Sequence, residues 1–268
     1  METLRLPRWD TAADLAAWLD VPLDRLQWWT SPAQDFRAMQ ADRPTSAHYH
    51  PLLKAKRSGG LRLIEVPKPA LKRAQQKLLS GLLEAVPVHE HAHGFVRGRS
   101  AISHARGHAG HAVVLAFDLR DFFHSIGVAR IRALWRTLGY AEGVADALAR
   151  LTTTRTPLAV RERLVDDGGI DWKGARRLAS RHLPQGAPTS PALANLCAFG
   201  LDLRLEGLAW RFGAHYSRYA DDIVFSGPRE LRSRGRALQS WVEAIVQAEG
   251  FRLHPGKTRR MPAHHGSR

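Results

Sequence analysis

The chain of 268 residues carries 40 Lys and Arg against 25 Asp and Glu, a formal net charge of +15 and a pI near 11.0, a balance that argues for sequence-independent contact with a polynucleotide. With 44% hydrophobic residues it can bury one elaborate domain or two small ones, and no apolar run approaches the roughly 18 residues of a membrane span. The charged opening residues Glu2, Arg5, Arg8 and Asp10 form no signal peptide, and the single Cys197 excludes an internal disulfide, so a soluble cytoplasmic protein is expected.

Taken in chain order, Thr11 to Leu19 reads as a short helix with Leu15, Trp18 and Leu19 on one face, and Trp28-Trp29 as packing residues. Residues 1–50 hold seven acids and five basic residues, whereas Lys54 to Lys77 hold eight basic residues against Glu65 alone. Within that stretch Ser58-Gly59-Gly60 is a turn signal between strand-like runs, which puts Lys56, Arg57 and Arg62 beside a hairpin. A solvated basic face is the competing reading for each of them. Leu71 to Leu83 reads as a basic helix that contains Lys72. His89-Glu90-His91-Ala92-His93 would set alternate imidazoles on one side of an extended segment, a transition-metal pattern for which no matching cysteines or distant ligands follow. It continues into Gly94-Phe95-Val96-Arg97-Gly98-Arg99 and then into His104-Ala105-Arg106-Gly107-His108.

Val113 to Phe117 is an unbroken apolar run of strand length that ends in Asp118, followed by Leu119-Arg120-Asp121-Phe122-Phe123. An acid at the end of a buried strand wants a partner or a metal. Residues 152–181 show weak periodicity and look like an insertion. Leu183-Pro184-Gln185-Gly186-Ala187-Pro188 is a rigid loop ahead of an apolar helix that carries Cys197. His215 to Tyr219 and Ile223 to Phe225 read as strands of a hairpin whose tip holds Ala220, Asp221 and Asp222. Adjacent carboxylates repel, and a hard divalent cation relieves the repulsion, although a solvated turn explains the tetrapeptide equally well taken alone. If the strand ending in Asp118 lies beside this hairpin, the three carboxylates converge on a site for two Mg²⁺ ions about 3.5–4 Å apart, suited to in-line phosphoryl transfer. Leu238, Trp241, Val242, Ile245 and Val246 follow helical spacing before Gly250 and would cover one face of the sheet. Residues 252–268 hold five basic residues, Lys257 among them, and no acid.

A strand ending in Asp118, a Pro184-Gln185-Gly186 loop and a Tyr219-Ala220-Asp221-Asp222 hairpin occur here in the order found in reverse transcriptases of the bacterial retron and group II intron type, which the chain resembles from about Lys54 to Lys257. The resemblance implies an α+β right-hand polymerase: a palm made of an antiparallel sheet with helices on one face, plus fingers. It divides the chain into a helical extension over 1–50, fingers over 51–112 and a palm over 113–268 with the insertion near 152–181. In the family Asp118 and Asp221 match the main metal ligands and Asp222 the supporting carboxylate. Lys257 matches a lysine near the leaving pyrophosphate, which puts it with the catalytic residues. Arg62 first and Arg57 second match the triphosphate contacts of the closing hairpin. Leu119 and Gln185 match positions against the incoming nucleotide, and Phe123 matches the aromatic that blocks a ribose 2′-hydroxyl. Arg97 and Arg99, in the template-gripping loop, and Lys72 are implied to hold template.

The activity implied by this resemblance is that of an RNA-directed DNA polymerase, using deoxynucleoside triphosphates and two Mg²⁺ ions, with Mn²⁺ as a substitute. Its partners would be a structured noncoding RNA, the DNA product and, for a retron engaged in antiphage defence, an effector protein; the oligomeric state is left open. His104 to His108 matches the retron Asn-Ala-x-x-His signature with the asparagine replaced. A second hallmark, Val-Thr-Gly, would lie just beyond Arg268, and the thumb is expected to be absent or truncated. A group II intron maturase and an abortive-infection polymerase stay open as other branches. An idle RNA-binding module stays open as another class.

Overall fold

Short strand-forming runs pair into two separate sheets in a computed structural model that describes residues 6–31, 48–56 and 59–262. Contacts group the chain into two compact units. One comprises residues 1–86 and 123–194, the other residues 87–122 and 195–268.

In the first unit, strands β1 (Tyr49–Ala55) and β2 (Leu61–Pro67) form an antiparallel hairpin in continuous register from Tyr49 opposite Pro67 to Ala55 opposite Leu61. Gly59 and Gly60 both take positive φ, at +87° and +71°, the region where a Cβ is penalised, and the turn closes with Lys56 N–H donating to Gly60 O at 2.9 Å. The helix Pro69–Gly81 starts with proline at its first position, where a missing N–H costs nothing, and buries Leu71, Ala74, Gln75 and Leu78 at spacings of three and four. Gln75 is fully buried, and its Nε2 donates to Tyr49 Oη at 2.7 Å and Leu151 O at 2.8 Å while its Oε1 has no partner among the described residues. The expected N-terminal helix spans Ala12–Leu19, with Thr11 and Asp14 closing a capping box. Leu15 and Leu19 are buried, and Trp18 packs on Trp9 at 4.9 Å between ring centroids. Trp29 is buried but Trp28 is largely exposed beside His48.

Residues 152–181 carry two short helices, Leu158–Asp166 and Trp172–Leu178. Their pattern is weak in sequence because each commits so little to the interior: Leu164 from the first, Gly174 and Leu178 from the second. Leu164 and Leu178 nevertheless pack with Leu63 of β2, so this stretch completes the small core behind the hairpin.

The second unit is built on a four-stranded antiparallel sheet in the order β4-β5-β3-β6, with β3 Val113–Asp118, β4 His215–Tyr219, β5 Asp222–Gly227 and β6 Arg259–Pro262. The central strand β3 buries Val113, Leu115 and Phe117 in alternation. The helices Phe199–Phe212 and Leu231–Ala248 pack on each other, the former also against β4 and the latter against β3. Leu238, Val242, Ile245 and Val246 face inward as the spacing predicts, but Trp241 does not: it is 55% exposed, because the stripe that meets the sheet is too narrow to include it. Among the described residues no helix is long and apolar enough to cross a membrane.

Candidate active site

Asp118 and Asp222 stand directly opposite each other as the last pair of the β3–β5 ladder. Pairing continues past them, since Leu119 N–H donates to Asp221 O at 2.8 Å and His254 N–H donates to Asp118 O at 2.7 Å. Backbone bonds therefore hold two of the three carboxylate-bearing residues in register and the third in the adjoining turn. Asp222 titrates above its ordinary value, first because burial penalises its charge and then because Asp221 and Asp118 repel it, with Lys257 and Arg259 opposing. Lys257 Nζ donates to Asp118 Oδ2 at 2.9 Å, so the lysine expected near a leaving group rests on a carboxylate. Among the described residues the ligand atoms of the three carboxylates do not all approach within 4.8 Å of one another.

The turn that presents Asp221 is strained and heavily supported. Ala220 adopts φ +55°, costly for a residue with a Cβ, and is buried. Beneath it lies Arg218, wholly buried, whose guanidinium forks onto Asp202 with Nε to Oδ1 and Nη2 to Oδ2, both at 2.7 Å. The same guanidinium donates to Asn195 Oδ1 at 3.1 Å and Ala220 O at 2.8 Å, and Tyr216 Oη donates to Asp202 Oδ1. Asp202 raises the Arg218 pKa against the opposing effect of burial. Asn195 in turn donates to Gly94 O at 2.8 Å. Gly94 has no room for a side chain, because a Cβ would stand 2.4 Å from the Ala220 nitrogen. None of this support was evident in the sequence. An arginine inside a strand looks like an edge residue, and Asp202 lies sixteen positions away on a helix.

The histidine-rich segment joins the β4 edge: Arg218 N–H donates to His91 O and His93 N–H donates to Arg218 O. The three imidazoles do not act as a set. His91 pairs with Glu206 at 2.9 Å and His89 approaches the same carboxylate at 3.5 Å, while His93 turns to Ser103. His104 and His108 instead bracket Ser217, at 2.8 and 2.7 Å, and the other ring nitrogen of His108 meets Ser226 at 2.8 Å. A serine hydroxyl has one proton and two lone pairs, so at most one of the two imidazoles accepts from Ser217 and at least one donates to it. Burial first, then His104, His215, His111 and His93, lower the His108 pKa to about 3, and burial, then His93 and His215, lower that of His104 to about 4. Both lie below the usual value near 6.5, so the unfolded chain binds these protons first as pH falls. Stability contributed by the neutral pair is expected to be complete above pH 6.5 and to drain away between 6.5 and 3. Urea titrations at pH 7.5 and 4.5 check this, with His108→Gln expected to flatten the dependence.

The other residues singled out in the sequence are spread over both units. Leu119 is buried and contributes its N–H to the ladder. Arg97 is exposed on its loop, and the half-buried Arg99 ties that loop together, its Nη1 donating to the carbonyls of His89 and Ala92 at 3.0 and 2.6 Å. Arg62, Lys72, Phe123 and Gln185 belong to the first unit. Arg62 is exposed opposite Lys54 in the hairpin, and Lys72 is exposed on its helix. Phe123 opens the 3-10 turn Phe123–Ser125. Gln185 O accepts from Glu65 N–H at 2.8 Å, and Gly186, at φ +126°, lets the loop lie on β2, where a Cβ would stand 2.9 Å from Ile64. Arg57 lies outside the described residues.

Residues 54–265 match the family described as reverse transcriptase (RNA-dependent DNA polymerase). The Mx162 retron reverse transcriptase of Myxococcus xanthus is 40% identical over 260 residues, covering 93% of this chain and 50% of the relative. The Mx65 retron reverse transcriptase of the same organism is 42% identical, covering 95% of this chain and 56% of the relative, and the Ec86 enzyme of Escherichia coli is 28% identical over 74% of the chain. The chain thus spans about half the length of these curated relatives. A solved telomerase from Candida albicans, in complex with a fragment of telomeric RNA, aligns with TM-score 0.48 and 11% identity, covering 82% of this chain and 43% of that one.

Proposed function

We propose, on the premise that this chain belongs to the reverse transcriptase family, that it is the palm and fingers of an RNA-directed DNA polymerase of the retron branch. The observation that carries this reading is the pairing of Asp118 with Asp222 across two buried strands, with Asp221 in the adjoining turn. Adjacent carboxylates raise the cost of their own ionisation, as Asp222 shows, and all offer hard oxygen donors of the kind Mg²⁺ takes. Asp118, Asp221 and Asp222 would hold the ions, with Mn²⁺ as a substitute. Bound there, two divalent ions supply activation of the primer hydroxyl and neutralisation of phosphate charge.

The protein's own groups do the rest. Arg218, Asp202 and Asn195 fix the turn from below, so the carboxylates need little reorganisation. Lys257, resting on Asp118, is a cation that can move to the departing pyrophosphate. From the family resemblance, Arg62 and Arg57 contact the triphosphate, and Leu119 and Gln185 border the nucleotide. Arg97 and Lys72 hold template, while Arg99 builds the loop that carries Arg97. Phe123 sets sugar choice: Phe123→Ala is expected to raise incorporation of ribonucleotides at least about tenfold relative to deoxynucleotides, worth about 1.4 kcal/mol of discrimination. Single-nucleotide extension with each sugar checks it, and unchanged selectivity removes Phe123 from the role.

The substrate would be a structured noncoding RNA, copied into RNA-linked single-stranded DNA in antiphage defence together with an effector protein. The retron branch rests on the Myxococcus relatives, which are named retron reverse transcriptases, and the RNA-linked product, the defence role and the effector follow from the family resemblance alone. The test is extension of a DNA primer on an RNA template with deoxynucleotides and Mg²⁺, with the Asp221→Asn protein as control. Extension by the unaltered chain alone supports a templated polymerase; RNA binding without extension supports a binding module.

A further inference from the structure

Apart from the carboxylates, the first unit gathers Glu65 of β2, His124 of the 3-10 turn and His182 of the segment before Leu183, with ligand atoms all within 4.8 Å of one another. Glu65 and His182 are each about 1% exposed. His182 Nε2 lies 2.9 Å from Glu65 Oε2, and His182 Nδ1 lies 2.8 Å from the carbonyl of Ser180. Both partners are acceptors. A neutral ring with its proton on Nδ1 would set the Nε2 lone pair against a carboxylate oxygen, so a positive charge, carried either by a second ring proton or by a metal ion, belongs in this contact. His124 Nε2 points at the same oxygen from 3.9 Å, too far for a hydrogen bond, with its ring at 89° to that of His182. Two ligands bonded at about 2.1 Å to one tetrahedral ion stand about 3.4 Å apart, between the two separations found here.

We infer that Glu65, His124 and His182 form a transition-metal site that takes Zn²⁺ or a similar borderline ion. Two imidazoles and one carboxylate suit such an ion, whereas Mg²⁺ prefers the all-oxygen set of the other unit. The outer partners are in place: Thr156 Oγ1 donates to Glu65 Oε1 at 2.8 Å, and the Ser180 carbonyl fixes the His182 tautomer. The ion would pin three pieces that backbone bonds already join, since Leu183 N–H donates to Ile126 O and Glu65 N–H to Gln185 O. Its role is structural, holding the Pro184-Gln185-Gly186 loop on β2. The inference goes beyond the polymerase reading and stands or falls separately from it.

The test strips the full chain with chelator, reloads it with Co²⁺, and records visible d–d absorption together with metal content and thermal unfolding. One tightly held Co²⁺ per chain with intense tetrahedral-type bands is expected. The same bands should persist in Asp118→Asn/Asp221→Asn, which disables the oxygen-only set. They should weaken at least about tenfold in affinity in His124→Gln, chosen because His124 is the most exposed ligand, and in Glu65→Gln. Zn²⁺ should raise the unfolding temperature of the unaltered chain and not that of His124→Gln. Absence of a stoichiometric ion at micromolar Co²⁺, or full binding by a folded His124→Gln protein, overturns the site and assigns Glu65 and His182 to a plain ion pair.

Discussion

Replacement of Asp221 by Asn is expected to cut deoxynucleotide incorporation by at least about a thousandfold, on the order of 4 kcal/mol of transition-state stabilisation, while RNA affinity changes less than about twofold. The change removes a charge from the turn beyond the β3–β5 ladder but leaves the Asp221 carbonyl, which accepts from Leu119 N–H, where it is. The ladder bond at this position is therefore kept, and the template grip is assigned to other residues. Single-turnover extension and filter binding on the same preparation separate the two quantities. Extension at the unaltered rate would remove Asp221 from the site, and a large loss of RNA affinity would assign it to binding.

Asp202→Ala is expected to be among the most destabilising substitutions in the chain, at about 3–5 kcal/mol, because it leaves the Arg218 guanidinium buried without its countercharge. Tyr216 loses its acceptor in the same step. Removing both charges together, as in Asp202→Leu/Arg218→Met, should cost much less than Asp202→Ala, since desolvation and attraction are lost at once. The double variant should still extend primers poorly, because Ala220 O no longer has the guanidinium that fixes its φ of +55°. Urea unfolding of the three proteins measures the first claim and primer extension the second. A single variant as stable as the double one would show that the pair is not the support it looks to be.

How far the sequence alone can be read depends on the range of the interactions. The β1–β2 hairpin, the strand ending in Asp118 and the Tyr219-to-Asp222 tip all follow from short apolar runs and turn residues, so their chemistry is visible in one dimension. Arg218 with Asp202, and Ser217 with His104 and His108, stay hidden because polar groups brought together by tertiary packing leave no periodic trace. The i and i+4 spacing of His104 and His108 is a signal, but only the buried serine between them gives it meaning. Arg99 shows the same limit. A basic residue in a glycine loop suggests a phosphate, and only the folded chain shows that its Nη1 also ties two carbonyls of its own loop.

The two compact units are each assembled from two separated stretches of chain, and this shapes how the molecule must be made. Asp118 leaves the ribosome about a hundred residues ahead of Asp222, its partner in the ladder, and β6 follows later still. No contiguous half of the polypeptide can mature alone: β3 must wait, apolar and unpaired on both edges, until β5 has been synthesised. At translation rates of about 5–20 residues per second, that interval lasts from several seconds to tens of seconds. The Asp118–Asp222 pair thus assembles only after every residue between its two strands has been made, so the first 200 residues of a nascent chain cannot by themselves hold it.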